Sequence, residues 1–320
     1  MLTKCSITNK KVVFALALLA CALWGSAYPS IKIGYSLFHI TVDDTPGMLL
    51  FAGYRFTLAG CVLLFLGLIT GKKVFQLHLL DFSRLVILGC VMTTLQYIFF
   101  YIGLSHTSGV KGAILNGTTT FFSVLLAHML LKAEHLQTRT LLGCLIGFAG
   151  VVSVNYGSGT SGFGFSLTGE GFLVIAGLMQ AIGGIYGKII SQDMDSVVMT
   201  AWQLTIGGAV LIVFGHAHGG LLQGFTPASI GLLVYMGLLS AAAIAIMAAL
   251  VKYNPVSMVT VFQFTIPVFG AGLSSLLLGE TVLEWKYMAA LICVCAGIYL
   301  VTHSNGTRTF VKASHDVNRL

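Results

Sequence analysis

Long apolar runs, each closed by a short polar break, recur along the whole chain. They fall at about residues 12–36, 48–70, 84–105, 109–131, 138–156, 170–191, 196–215, 228–251, 256–278 and 285–303. None shows the strict alternation of a half-buried strand. About 20 apolar residues at 1.5 Å each cross a hydrocarbon core, and a backbone in lipid must satisfy its own hydrogen bonds. The pattern therefore predicts an all-α membrane protein with ten transmembrane helices. The weakest boundary is Lys252-Tyr253-Asn254-Pro255, kept as a break because Pro255 cannot continue a helix interior without losing a hydrogen bond.

The first run, Lys11 to Lys32, is uneven. Val12 to Trp24 is apolar on every side, whereas Trp24 to Lys32 mixes small, aromatic and hydroxyl residues and contains Pro29. A helix half of that kind is tolerated in a membrane where it faces protein or a wet cavity. The first span is thus expected to line something.

Composition removes the soluble alternative. The chain is 57% hydrophobic and 8% charged, with a mean hydropathy of +0.93, against roughly 25% charged residues in a soluble domain. The net charge of +7 is spread over short loops, so it is not a nucleic-acid footprint. Lys4, Lys10 and Lys11, Lys72, Lys73 and Arg84, Lys132 and Arg139, Lys188, Lys252, and Arg308, Lys312 and Arg319 fall in alternate loops or tails, with Lys111 and Lys286 as exceptions. That bias predicts both termini in the cytoplasm and an even number of spans. Most of the seven cysteines lie inside apolar runs as small hydrophobes, so neither a disulfide nor a metal site is expected. His216-x-His218 is too sparse for a metal, and Gly157 to Gly162 follows a span and opens no nucleotide-binding helix. No Walker loop and no Ser/His/Asp arrangement is present, so neither an enzyme nor a cofactor is expected.

The two halves repeat. Tyr54-Arg55-Phe56-Thr57-Leu58-Ala59-Gly60 resembles Trp202-Gln203-Leu204-Thr205-Ile206-Gly207-Gly208. Leu131-Lys132-Ala133-Glu134 resembles Leu277-Leu278-Gly279-Glu280, and Ala149-Gly150-Val151 resembles Ala296-Gly297-Ile298. The offsets are 146 to 148 (202 less 54, 277 less 131, 296 less 149), and about 156 for the first span against the sixth. Each unit holds five spans, an odd number, so the second is expected upside down relative to the first. Inverted repeats of this kind build secondary transporters, with the substrate site near the midplane. The expected division is 1–157 for the first five-helix repeat, 158–303 for the second, inverted one, and 304–320 for a cytoplasmic tail.

Trp24-Gly25-Ser26 followed by Ile31-Lys32, the Tyr54-Arg55-Phe56 start of span two, and Leu278-Gly279-Glu280 before span ten resemble the drug/metabolite transporter superfamily, EamA-type. In the first repeat the Gly-Glu pair is Ala133-Glu134, a departure from the pattern. The resemblance implies a bacterial inner-membrane protein that exports amino acids or related metabolites. It also implies spans one, three, four, six, eight and nine around a central cavity, with five and ten outside. Relatives that exchange sugars or phosphorylated metabolites supply the alternative. A membrane-embedded enzyme is the reading from a different class, disfavoured because carboxylates and histidines are scattered over both sides.

Candidate substrate contacts are polar or aromatic residues at cavity depth: Trp24, Tyr28, Lys32, Arg55, Gln96, Tyr97, Asn116, Gln180, Tyr186 and Gln263. Lys32 and Arg55 are the basic residues inside spans. The competing readings are a snorkelling Lys32, an Arg55 paired with backbone carbonyls or with Asp43 or Asp44, and amides that merely bond between helices. Arg suits a carboxylate or phosphate. Pro29 and Pro267 are hinge candidates inside spans one and nine. No Asp or Glu lies mid-span, so a facilitator or exchanger is expected, or coupling to protons at a span end through Glu134, Glu170 or Glu280. The expected partners are a small-molecule substrate and membrane lipid. A monomer is the default, with a homodimer through the Gly143-x-x-x-Gly147 face of span five as the alternative.

Overall fold

The structure, a computed structural model, describes residues 7–130, 138–155, 166–279 and nine positions between 285 and 300. Every regular element among them is helical. In order they are α1 (Lys10–Leu37), α2 (Thr45–Ile69), α3 (Leu79–Gly89), a π segment (Cys90–Leu95), α4 (Gln96–Ser105), α5 (Gly109–Leu115), α6 (Thr118–Leu130) and α7 (Thr138–Asn155). There follow a π turn (Leu167–Gly171), α8 (Phe172–Ile190), α9 (Ser196–Ala217), α10 (Pro227–Tyr253), α11 (Val256–Thr260), a 3-10 turn (Val261–Thr265) and α12 (Ile266–Leu278). Among the described residues, seven continuous stretches are long and apolar enough to cross a membrane. The expected span at 138–156 is present as α7, and that at 256–278 is cut into three pieces. Most of the expected tenth span lies outside the described residues, as do Glu134, Glu280 and the 157–165 loop.

Local sequence sets the helix ends. Asn9 and Asp44 accept hydrogen bonds from Lys11 N and Gly47 N at the starts of α1 and α2. Thr226 and Ser229 form a capping box at α10, whose first residue is Pro227. Gly279 closes α12 in the left-handed region, φ 68°, which suits glycine. Asp195 caps α9 and is ion-paired with Lys72 from the α2–α3 connection. Burial raises the Asp195 carboxyl, but the Lys72 hydrogen bond and charge outweigh it, so the net shift is downward. The pair therefore stabilises the fold above the ordinary carboxylate range, and that contribution is lost as pH falls through the lowered folded value. Asp195 is half exposed, so Asp195→Asn is expected to cost under about 1 kcal/mol at neutral pH and nothing at strongly acid pH, read by thermal unfolding against pH.

α1 packs on α10 and α12, α6 on α8, and α2 on α9. The α2–α9 seam is reciprocal. A Cβ at Gly60 would lie 2.6 Å from Thr205 N and 2.8 Å from Ala201 O. One at Gly208 would lie 2.5 Å from Thr57 N and 3.0 Å from Gly53 O. Gly60 and Gly208, Thr57 and Thr205, and Gly53 and Ala201 are each 148 positions apart, so the segments that resemble each other in sequence face each other in space. Gly143 and Gly147 approach Gly297 within the chain, and Gly183 approaches Met92.

Three helices lose regularity at mid-length. The third span carries the π segment, the fourth breaks at Asn116-Gly117, and the ninth tightens into the 3-10 turn around Gln263. Pro267 lies within the 256–278 span, in the first turn of α12 directly after the 3-10 turn, where a missing N–H costs little. Pro29 is inside α1, which stays continuous around it.

Candidate functional site

The irregular backbone surrounds two cavities. The smaller, about 30 Å³, is lined by Tyr28, Arg55, Gln96, Tyr97, Phe100 and Asn116 among others. The larger, about 70 Å³, takes Met92, Gln180, Gln203, Ile244, Met247 and Gln263 into its wall. Trp24 and Gln180 belong to both and so stand between them. Each cavity holds room for at least one water, which needs roughly 10–15 Å³ by the same measure.

Arg55 is almost fully buried. Its Nε–H donates to Ser240 Oγ at 2.7 Å and its Nη1 to Tyr101 OH at 3.1 Å. Both partners are neutral, and no described carboxylate pairs with it. The competing reading of a pair with Asp43 or Asp44 finds no support among the described residues, and Asp44 is engaged at the α2 cap. A buried ion costs several kcal/mol even after relaxation, on the order of twice what each hydrogen bond to a charged group returns. Tyr101, with Tyr35 and Phe51 packed edge-on at 6.2 Å, fixes the aromatic wall beside the guanidinium. Tyr97 lies 4.1 Å from Phe56 between ring centroids.

In the larger cavity Thr119 Oγ1 and Gln263 Oε1 are buried without a hydrogen-bond partner. A buried unsatisfied polar atom costs about 1–3 kcal/mol, so these two atoms call for water or a ligand group. Gln203 is held by donation to Thr93 Oγ1 at 3.3 Å.

Of the ten residues expected from sequence, seven line the smaller cavity: Trp24, Tyr28, Arg55, Gln96, Tyr97, Asn116 and Gln180. Gln263 joins Trp24 and Gln180 in the larger. Lys32 and Tyr186 line neither. Lys32 Nζ donates to Thr107 O at 2.7 Å beyond the cavity, and Tyr186 packs with Leu85, Leu88 and Met199. Ser240, Gln203 and the methionines Met92, Met199 and Met247 were not anticipated. One available signal was register: Gln203 is the repeat counterpart of Arg55, 148 positions on.

The same register relates much of the site. Trp24 and Gln180 are 156 apart, and Asn116 and Gln263 are 147 apart at the two helix breaks. Lys188 Nζ donates to Asn254 O at 2.8 Å. Lys188 and Asn254 lie 156 and 147 positions after Lys32 and Thr107, so each half of the sequence supplies the lysine of one matching lysine-to-carbonyl bond.

The profile of the EamA-like transporter family matches residues 11–156 and again 167–303. The chain belongs to the EamA-like transporter family. Among its relatives, an uncharacterized transporter of Archaeoglobus fulgidus is 28% identical over 299 residues, covering 92% of this chain and 98% of that one. The uncharacterized transporter YvbV of Bacillus subtilis is 28% identical over 79% of this chain and 82% of its own. The uncharacterized inner membrane transporter YedA of Escherichia coli is 28% identical over 88% and 87%. A solved crystal structure, 17% identical, superposes with a TM-score of 0.73 over 92% of this chain and 98% of that one, so the two chains share a fold. The family places this protein in the membrane as a transporter.

Proposed function

We propose that the chain is a secondary transporter that moves a small metabolite by alternating access through the cavities flanking Trp24 and Gln180. Two inverted five-helix repeats, 1–157 and 158–303, would rock about this centre, with 304–320 as a cytoplasmic tail. The observation that carries the reading is the pair of helix interruptions at corresponding places, Asn116 and Gln263, on opposite cavities. Irregular backbone at membrane depth belongs where it lines a pathway, and paired interruptions in two halves mark transporter binding sites. The reciprocal Gly60–Gly208 seam, the matched lysine bonds and the two successive family matches support the same arrangement. Both termini are assigned to the cytoplasm, and export of amino acids or related compounds from a bacterial inner membrane is the reading the family resemblance favours.

The test is metabolite profiling of medium and cytoplasm with and without the protein, followed by transport of whatever moves by Trp24→Ala and Tyr28→Ala. Transport should fall at least tenfold in Trp24→Ala at near-normal expression. Tyr28 is buried against Phe100, so its variant should lose stability as well. No compound displaced in profiling would sink the reading.

The two lysine bonds give a separate expectation. Lys32→Met and Lys188→Met should expose opposite ends of the pathway, read by labelling of cysteines placed at Thr107 and Asn254 with a membrane-impermeant maleimide. Labelling from the same side in both variants would contradict the assignment.

A further inference from the structure

The two cavities are matched in position and opposed in chemistry. Register pairs Arg55 with Gln203 and Gln96 with Ile244 at 148 positions, and Tyr28 with Gly184 at 156. In each pair the first residue lines the smaller cavity and the second the larger. The smaller compartment therefore holds a buried cation with hydroxyl and amide groups. The larger substitutes a neutral amide, an isoleucine and a glycine, and adds Met92, Met199, Met247 and Val251 to a wall that is mainly apolar.

We infer that the substrate is an amphipathic monocarboxylate. Its carboxylate meets Arg55 in the smaller compartment, and its apolar body passes between Trp24 and Gln180 into the methionine-lined one. The inference rests on the transporter reading above and names the substrate class of that same site. A guanidinium whose described partners are two neutral hydroxyls retains donors for an anion, in the planar arrangement that suits a carboxylate. One buried cation matches one negative charge better than the two of a phosphate group. No described Asp or Glu lines either cavity, so a substrate ammonium meets no counter-charge, and an amino group is not required. Polarizable methionines accept bodies of varied shape, branched or aromatic. Thr119 Oγ1 and Gln263 Oε1 are isolated polar points suited to water or a neutral hydroxyl. Lys188, at the far end of the larger cavity and bonded to Asn254 O, is the charge that competes with Arg55 for the carboxylate.

The experiment measures binding to the purified full chain in lipid nanodiscs by titration calorimetry. The probes are 3-phenylpropionate, its amide, phenethylamine, phenylalanine and butyrate. The two phenyl carboxylates should bind, 3-phenylpropionate at least as tightly as phenylalanine, and the amide and amine at least tenfold more weakly. Arg55→Gln should weaken 3-phenylpropionate at least tenfold while leaving the amide unchanged. Gly184→Leu provides a variant expected to fold, since a Cβ there meets nothing within 4 Å. It should lower the preference for 3-phenylpropionate over butyrate at least tenfold by filling the apolar compartment. Equal binding of amide or amine, or phenylalanine binding alone, overturns the inference. Unchanged binding in Arg55→Gln with loss in Lys188→Gln also overturns it, by moving the carboxylate to the other cation. If no probe binds while profiling still finds an exported compound, the substrate class falls and the transporter reading stands.

Discussion

Gly208→Ala is expected to leave little folded protein. The added methyl would sit 2.5 Å from Thr57 N and 3.0 Å from Gly53 O, and backbone atoms in the middle of α2 cannot swing aside as a side chain can. Relief requires the two helices to separate, which removes contacts along the whole α2–α9 seam. Overpacking of this kind costs about 3 kcal/mol or more. Gly60→Ala meets Thr205 N and Ala201 O and should behave alike. In a membrane, where apolar burial drives helices together no better than lipid does, close backbone approach at small residues supplies the packing. Gly272→Ala is the control: it lies in α12, meets nothing within 4 Å and is exposed, so it should be neutral or gain up to about 1 kcal/mol of helix propensity. Reversible unfolding in mixed micelles on addition of sodium dodecyl sulfate separates the three. Gly208→Ala and Gly272→Ala unfolding together would mean the seam is looser than the structure has it.

Lys111→Met is expected to cost about 3–5 kcal/mol, because it leaves the Glu170 carboxylate buried without its cation. The pair joins α5 to the π turn that opens α8, and the side chains are only 15% and 6% exposed. Glu170 also accepts from Ser166 N at 2.8 Å, a second contact that holds the carboxylate where it is. The double variant Lys111→Met/Glu170→Leu should recover most of the loss, since removing both charges removes the desolvation cost with them. The same unfolding assay reads both. A single variant as stable as the parent, or a double variant no better than the single, would show that the pair carries no such energy. The pair also bears on coupling. Protonating Glu170 means withdrawing it from Lys111, so if Glu170 couples transport to protons, gradient-driven accumulation should disappear in Glu170→Gln.

Much of the lining of the two cavities was legible because membranes penalise ambiguity. Gln96, Asn116, Gln180 and Arg55 stand out in apolar runs, and each needs a partner or a wet space. Tyr186 and Lys32 stand out for the same reason yet line neither cavity. An aromatic ring fits a packed cluster as well as a pocket, and a lysine near a helix end reaches a carbonyl as readily as a substrate. Methionines gave no signal, since a methionine in a span is ordinary whether it faces lipid, protein or a cavity.

The sequence by itself determined that the chain is helical and membrane-bound, because 57% hydrophobic and 8% charged residues leave no way to cover a soluble surface. It also determined the pairing of its halves, through offsets that survive in Arg55 and Gln203, Trp24 and Gln180, and Lys32 and Lys188. Periodicity could not say where helices stop being regular. An apolar run reads the same through a π segment, through the Asn116-Gly117 break or through the 3-10 turn at Gln263, because propensity changes little over one turn. Tertiary contacts decide those places: the carbonyls and amides freed there find partners or face a cavity only once α1, α4, α6, α8 and α10 are assembled. Assembly also decided that Arg55 is held by Ser240 and Tyr101, 185 and 46 positions away, rather than by the acids nearest in sequence.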